Sequence, residues 1–177
     1  MAHIVFVYST VDGHTIEICE RLREVAARGG HQVSLQELTA GSEIDLEPFD
    51  RIVIGASVRY GKHRPEVTRF IEENLEKLQT TPSAFFSVNA VARKPDKREV
   101  QSNPYVRKFF EQISWKPPLV AIFGGKIDYP VYRFWDKTMI RLIMWITNGP
   151  TDPNATFDFT DWEEVETFGQ RISAVDS

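Results

Sequence analysis

Five short apolar runs, alternating with stretches of helical spacing, restrict the fold of this 177-residue chain more than any other feature. The runs are His3 to Tyr8, Gln32 to Glu37, Arg51 to Ala56, Ser83 to Val88 and Leu119 to Phe123, each short enough to be a strand. Between them lie a helix from Thr15 to Arg28, with Ile18, Leu22, Val25 and Ala26 on one side and Gly29-Gly30 as its stop, and a second opening at Pro65 with Val67, Phe70, Ile71, Leu75 and Leu78. A third helix is predicted over Tyr105 to Ile113, and a last one begins at the N-cap Asp161 and carries Trp162, Val165, Phe168 and Ile172. Strands alternating with helices build a parallel sheet covered on both faces, here a three-layer α/β/α sandwich. With 42% hydrophobic residues, one core and one domain over residues 1–177 are expected.

Open sheets of this kind bind ligands beyond the C-terminal ends of their strands. After the first strand comes Ser9-Thr10-Val11-Asp12-Gly13-His14-Thr15, with three hydroxyls, a permissive glycine and the unpaired N–H groups of a helix start, a composition suited to a phosphate. After the third comes Ser57-Val58-Arg59-Tyr60-Gly61-Lys62, where Tyr60 offers a stacking surface beside Gly61. The fourth is followed by Ser87-Val88-Asn89-Ala90-Val91-Ala92, with the Asn89 amide placed to meet a heterocycle edge. A helix cap and surface packing would explain any one loop; three such loops at three strand ends define a ligand site.

The first loop is neither G-x-G-x-x-G nor G-x-x-x-x-G-K-[ST], which disfavours dinucleotide and Walker-type nucleotide sites. A lone phosphate beside an aromatic surface fits FMN. At these residues the chain resembles the flavodoxin family, whose first loop has the form [ST]-x-T-G-x-T; the resemblance implies FMN and a five-stranded parallel sheet of order 2-1-3-4-5. Asp12-Gly13 stands where that pattern has Thr-Gly, and the loop after the fourth strand lacks a second aromatic. Without that aromatic, one side of a bound flavin stays open to a flat substrate.

The stretch 124–160 is an insertion that delays the last helix well beyond a usual connection. It holds a helical segment, Val131 to Thr147, stopped by Asn148-Gly149-Pro150. Arg133, Lys137 and Arg141 recur every four residues and form a basic stripe beside Trp135 and other large apolar residues. Three readings stand: a core-packed helix with a wet basic side, a lid over a large apolar anion, or a surface for anionic lipid. Charge suggests either an anionic partner or a solvated basic surface, since residues 91–148 carry 11 Lys/Arg against 5 Asp/Glu while the rest of the chain is acidic. The apolar run of the segment is too short and too interrupted by charge for a transmembrane span. Cys19 reads as a buried structural thiol, and no signal peptide is expected from the first residues. His14 and His63 have no second ligand at metal spacing, so no metal is expected, and no nucleic-acid motif is present.

Val53 to Gly61, Pro82 to Pro95, and Tyr129 to Arg133 with the Met139 to Met144 helix are similar to the quinone-dependent protoporphyrinogen IX dehydrogenase family, and the likeness covers nearly the whole chain. That resemblance implies FMN-dependent oxidation of protoporphyrinogen IX to protoporphyrin IX in haem biosynthesis, with menaquinone or ubiquinone as acceptor. It further implies loose attachment to the cytoplasmic face of the inner membrane. Oligomeric state is not legible. A flavodoxin electron carrier and a small NAD(P)H:quinone reductase are the alternatives.

Overall fold

Alternation within the apolar runs determines the layers, because successive side chains of a strand point to opposite faces. The computed structural model describes residues 1–175. Its strands are β1 (His3–Ser9), β2 (Gln32–Glu37), β3 (Arg51–Arg59), β4 (Lys62–His63), β5 (Ser83–Asn89), β6 (Leu119–Gly124), β7 (Lys126–Asp128) and β8 (Thr156–Asp158). Its helices are α1 (His14–Arg28), α2 (Pro65–Glu73), α3 (Leu75–Thr80), α4 (Pro104–Gln112), α5 (Phe134–Ile146) and α6 (Trp162–Ala174).

The main sheet runs β2-β1-β3-β5-β6 with every pair parallel. This is the expected 2-1-3-4-5 order, with one addition: β4 pairs antiparallel with β3 at the sheet's ligand end. Val5, Val7, Ile52, Ile54, Phe85 and Ile122 point to one face and pack under α2 and α4 through Val67, Phe70, Ile71, Val106 and Phe109. Their neighbours Ile4, Phe6, Val53, Phe86 and Phe123 point to the other and meet Ile18, Leu22, Phe168 and Ile172 of α1 and α6. Cys19 is fully buried there, and burial pushes its thiol pKa up, which leaves it inert.

Four local features depart from the expected reading. β3 continues through Ser57, Val58 and Arg59, because a tight turn at Tyr60 and Gly61, both at positive φ, folds the chain back as a hairpin to β4. The predicted second helix breaks at Asn74, whose side chain and backbone N–H both bond Phe70 O, so two short helices replace one. The insertion helix starts three residues late, at Phe134, after a 3-10 turn over Tyr129–Val131. Finally, β7 and β8 pair antiparallel as a small ribbon that closes the insertion against the sheet. Around it Ile127, Tyr129 and Met144 form a third, separate apolar cluster. α6 begins as read, with Asp161 accepting from Glu163 N and Glu164 N.

Candidate functional site

At the C-terminal ends of β1, β3 and β5 the three loops face one cavity of about 480 Å³. Its floor is made by Thr10, Val11, Asp12, His14 and Thr15, by Ser57 through Gly61, and by Val88 through Val91. Fourteen residues of the three loops therefore line one space. Ser9, Gly13 and Ser87 belong to the same loops: Ser9 and Ser87 are buried, and Gly13 supplies the φ of 83° that turns the loop into α1.

Electrically the first loop is prepared for an anion. The N–H groups of the first turn of α1 have no side-chain cap, which leaves them open to an acceptor. The hydroxyls of Ser9, Thr15 and Ser57 are buried with no hydrogen-bond partner. Orphaned buried hydroxyls are costly, and three of them around one loop pair fit a phosphate-bearing ligand that accepts from them. Thr10 is already engaged, its Oγ1 accepting from Gly13 N at 2.9 Å.

Asp12 turns away from this donor set. Its carboxylate accepts from Arg59 Nη1 at 2.7 and 2.5 Å, so its charge is neutralised within the site wall. Burial alone would lower the Arg59 pKa, but the bond to Asp12 outweighs it and the value is raised. Arg59 also stacks over the rings of Tyr60 and Tyr132, and its Nη2 lies 3.6 Å from Asp136 of α5. Tyr60 donates its hydroxyl to the same Asp136. That bond first, then Arg59, holds the Asp136 carboxyl below its usual range.

Asn89 does not offer its amide to the cavity. Oδ1 accepts from Ala92 N and from Asn103 Nδ2 at 3.1 and 3.0 Å, and Nδ2 donates to Ser87 Oγ at 3.2 Å. The amide braces the loop after β5, leaving main chain to face a ligand. Ser87 Oγ in turn lies 2.8 Å from His63 Nε2. His63 packs on Phe85 and Phe109, and burial pushes its pKa down to about 4. Because the unfolded state then binds the proton more readily, stability should fall as pH drops below 6.5, by about 2 kcal/mol at about pH 5. Denaturant titrations across that range check this, and His63→Phe should flatten the slope. His14 is a brace too: Nδ1 donates to Glu17 at 2.8 Å and Nε2 lies 2.6 Å from Thr160 Oγ1, joining α1 to the segment after β8.

The roof is α5, which contributes Met139, Ile140, Ile143 and Met144, followed by Thr147. Their i, i+3, i+4, i+7 spacing was open to view in the sequence. Arg133, Trp135, Lys137 and Arg141 do not line the cavity; the stripe lies on the outer side and Arg141 Nε donates to Thr151 O. Tyr105, Tyr132, Lys126 and Ile127, none of them anticipated there, complete the wall together with Arg93. Arg93 ties the roof down by donating to Ala90 O and to Thr147 O and Oγ1.

A parallel sheet of this order, with a donor-rich loop after β1 and an aromatic hairpin after β3, defines a flavodoxin-class flavoprotein. Comparison with known proteins places it further. Residues 5–154 match the flavodoxin domain family. The protoporphyrinogen IX dehydrogenase [quinone] of Escherichia coli K12 is 41% identical over 94% of this chain and 92% of its own length. The Leishmania major protein of the same name is 37% identical over 95% of this chain and 73% of its own. Oxidised flavodoxin 1 of Bacillus cereus shares the fold, with a TM-score of 0.54 at 15% identity over 99% of both chains. The chain belongs to the protoporphyrinogen IX dehydrogenase [quinone] family of flavodoxin-domain proteins.

Proposed function

We propose that this protein binds FMN in the cavity beneath α5 and oxidises protoporphyrinogen IX to protoporphyrin IX, passing the electrons to a respiratory quinone. The observation that carries the reading is the roof: Ile140, Ile143 and Met144 extend the flavin-loop cavity with an apolar ceiling, which a large flat substrate needs and electron transfer at an exposed edge does not. Bound flavin supplies two-electron redox chemistry. The overall change removes six electrons and six protons from the macrocycle and converts three quinones to three quinols.

The chain's own residues bind, orient and exclude water. Ser9, Thr15 and Ser57 hold the phosphate end through their unpartnered hydroxyls. Tyr60, half exposed at the hairpin tip, offers its ring as a stacking surface. Among the wall cations Arg93 bonds only neutral oxygens, of Ala90 and Thr147, so its charge is available to a substrate propionate, whereas Lys126 Nζ is paired with Glu17 Oε1 at 3.3 Å. The outward Arg133, Lys137 and Arg141 are left for another role.

Anaerobic mixing of the FMN-loaded protein with protoporphyrinogen IX should bleach the flavin absorbance, and a menaquinone analogue should restore it as porphyrin fluorescence appears. Flavin that stays oxidised with the macrocycle but bleaches with NADPH would replace this reading with a nicotinamide-dependent quinone reductase.

A further inference from the structure

Among the described residues, Asp136 is the one side chain in the first two turns of α5 that makes a polar bond to the cavity loops. It stands 76 positions beyond Tyr60, and its carboxylate reaches both residues at the end of the β3 hairpin arm. Oδ1 accepts from the Tyr60 hydroxyl, and Oδ2 lies 3.6 Å from Arg59 Nη2. The bond to Asp136 pushes the Tyr60 phenol pKa up, so the phenol stays protonated and remains the donor.

Tyr60 needs such an anchor. It occupies the hairpin tip at a φ of 50°, a left-handed conformation uncommon outside glycine, and is half exposed. The turn fixes where the side chain starts but leaves its two torsions to be set elsewhere. A bond at the far end of the ring sets both at once. The Arg59 guanidinium, 5.5 Å from the ring centre, supports the same face of the hairpin and is itself held by Asp136. The opposite end of α5 is secured by other means. Met144 is buried with Ile127 and Tyr129, and Thr147 accepts from Arg93. The helix is therefore seated at its C-terminal end by packing and at its N-terminal end by one carboxylate, beside the exposed Phe134 and Trp135.

We propose that Asp136 is a positioning residue that couples the roof to the flavin: its carboxylate holds the Tyr60 ring in the direction in which it stacks, and a stacked ring in turn holds α5 down. The inference rests on flavin binding beneath α5. Such coupling is reciprocal, so the seated roof strengthens flavin binding by the same factor with which bound flavin strengthens the seating of the roof. The insertion thus acts on the cofactor through a residue of the main sheet.

Asp136→Ala should weaken FMN binding about five- to tenfold, the share of affinity that an oriented aromatic ring contributes. It should also brighten the fluorescence of the bound flavin, which a stacked tyrosine quenches. Amide hydrogen exchange at residues 137–140 should slow when FMN binds the parent protein, and that added protection should be lost in the variant. Asp136→Asn keeps an acceptor for the Tyr60 hydroxyl and should restore most of all three readouts. Tyr60→Phe keeps the ring without the hydroxyl and should reproduce Asp136→Ala, with little further loss when the two are combined. An Asn variant as weak as Ala overturns the proposal, since the charge of the first helical turn and not the bond to Tyr60 would then matter. A parent protein that takes up no FMN overturns the reading of the cavity and this inference with it. A parent that binds FMN beside an unaltered Asp136→Ala overturns the inference alone.

Discussion

Protein carrying Ser9→Ala and Thr15→Val should bind FMN about a thousandfold more weakly, while its flavin-free form unfolds at a denaturant concentration no lower than the parent's. Both hydroxyls are buried, at 1% and 0% exposure, and neither has a partner. In the flavin-free protein such groups contribute a desolvation cost of about 1–3 kcal/mol each, so removing them does not destabilise the fold. Toward a phosphate each makes a charge-assisted bond of about 2 kcal/mol. Losing two amounts to about 4 kcal/mol, or about a thousandfold in Kd. Titration with riboflavin, which has the ring but no phosphate, separates the causes: its affinity should be unchanged in the double variant. An equal loss for riboflavin and FMN would mean that the hydroxyls support the loop without touching phosphate.

The parts of this fold that were legible are those governed by local periodicity. Ile4 and Phe6 alternate with Val5 and Val7, and the alternation alone assigns them to the two layers in which they are found. The α1 stripe of Ile18, Leu22 and Ala26 and the Asp161 cap are local as well. What was missed depends on distant partners. β7 and β8 are three residues each, and Lys126 pairs with Asp158 across the whole insertion, so neither has a signal of its own. The hairpin after β3 hides because Tyr60, not an Asn or a Gly, adopts the positive φ at its tip. The last residues of β3 were accordingly read as loop, although Val58 and Arg59 still reached the cavity.

Side-chain direction was the second barrier at the site. Asn89 was placed correctly beside the cavity, yet its amide serves Ala92, Asn103 and Ser87, a network assembled from residues up to 14 positions away. The insertion helix posed the same problem in another form. Apolar residues occupy both its faces, so spacing could not say which face met the cavity and which met the outside. The i+4 repeat of Lys137 and Arg141 located the basic stripe, and only packing showed that the stripe is turned away from the ligand space.

Asp12, the residue that departs from the flavodoxin loop pattern, leads to the second large effect: Arg59→Ala should weaken FMN binding about 50- to 100-fold, and adding Asp12→Ala should recover most of the loss. A carboxylate in a phosphate loop is tolerable only while Arg59 Nη1 grips both of its oxygens. Without the guanidinium, like charges within one loop repel by about 2–3 kcal/mol at an effective dielectric of about 20. Deleting Asp12 removes the repulsion, so the two substitutions should be strongly non-additive in FMN titrations. The single variant should also regain affinity in high salt, where partly exposed charges are screened, whereas the double variant should show little salt response. The contrary result is equally informative: equal weakness in the single and double variants would make Arg59 itself a phosphate ligand, drawn off Asp12 when FMN enters. In that case the contact from Arg59 to Asp136 would loosen at the same moment, leaving Tyr60 to hold the N-terminal end of the roof.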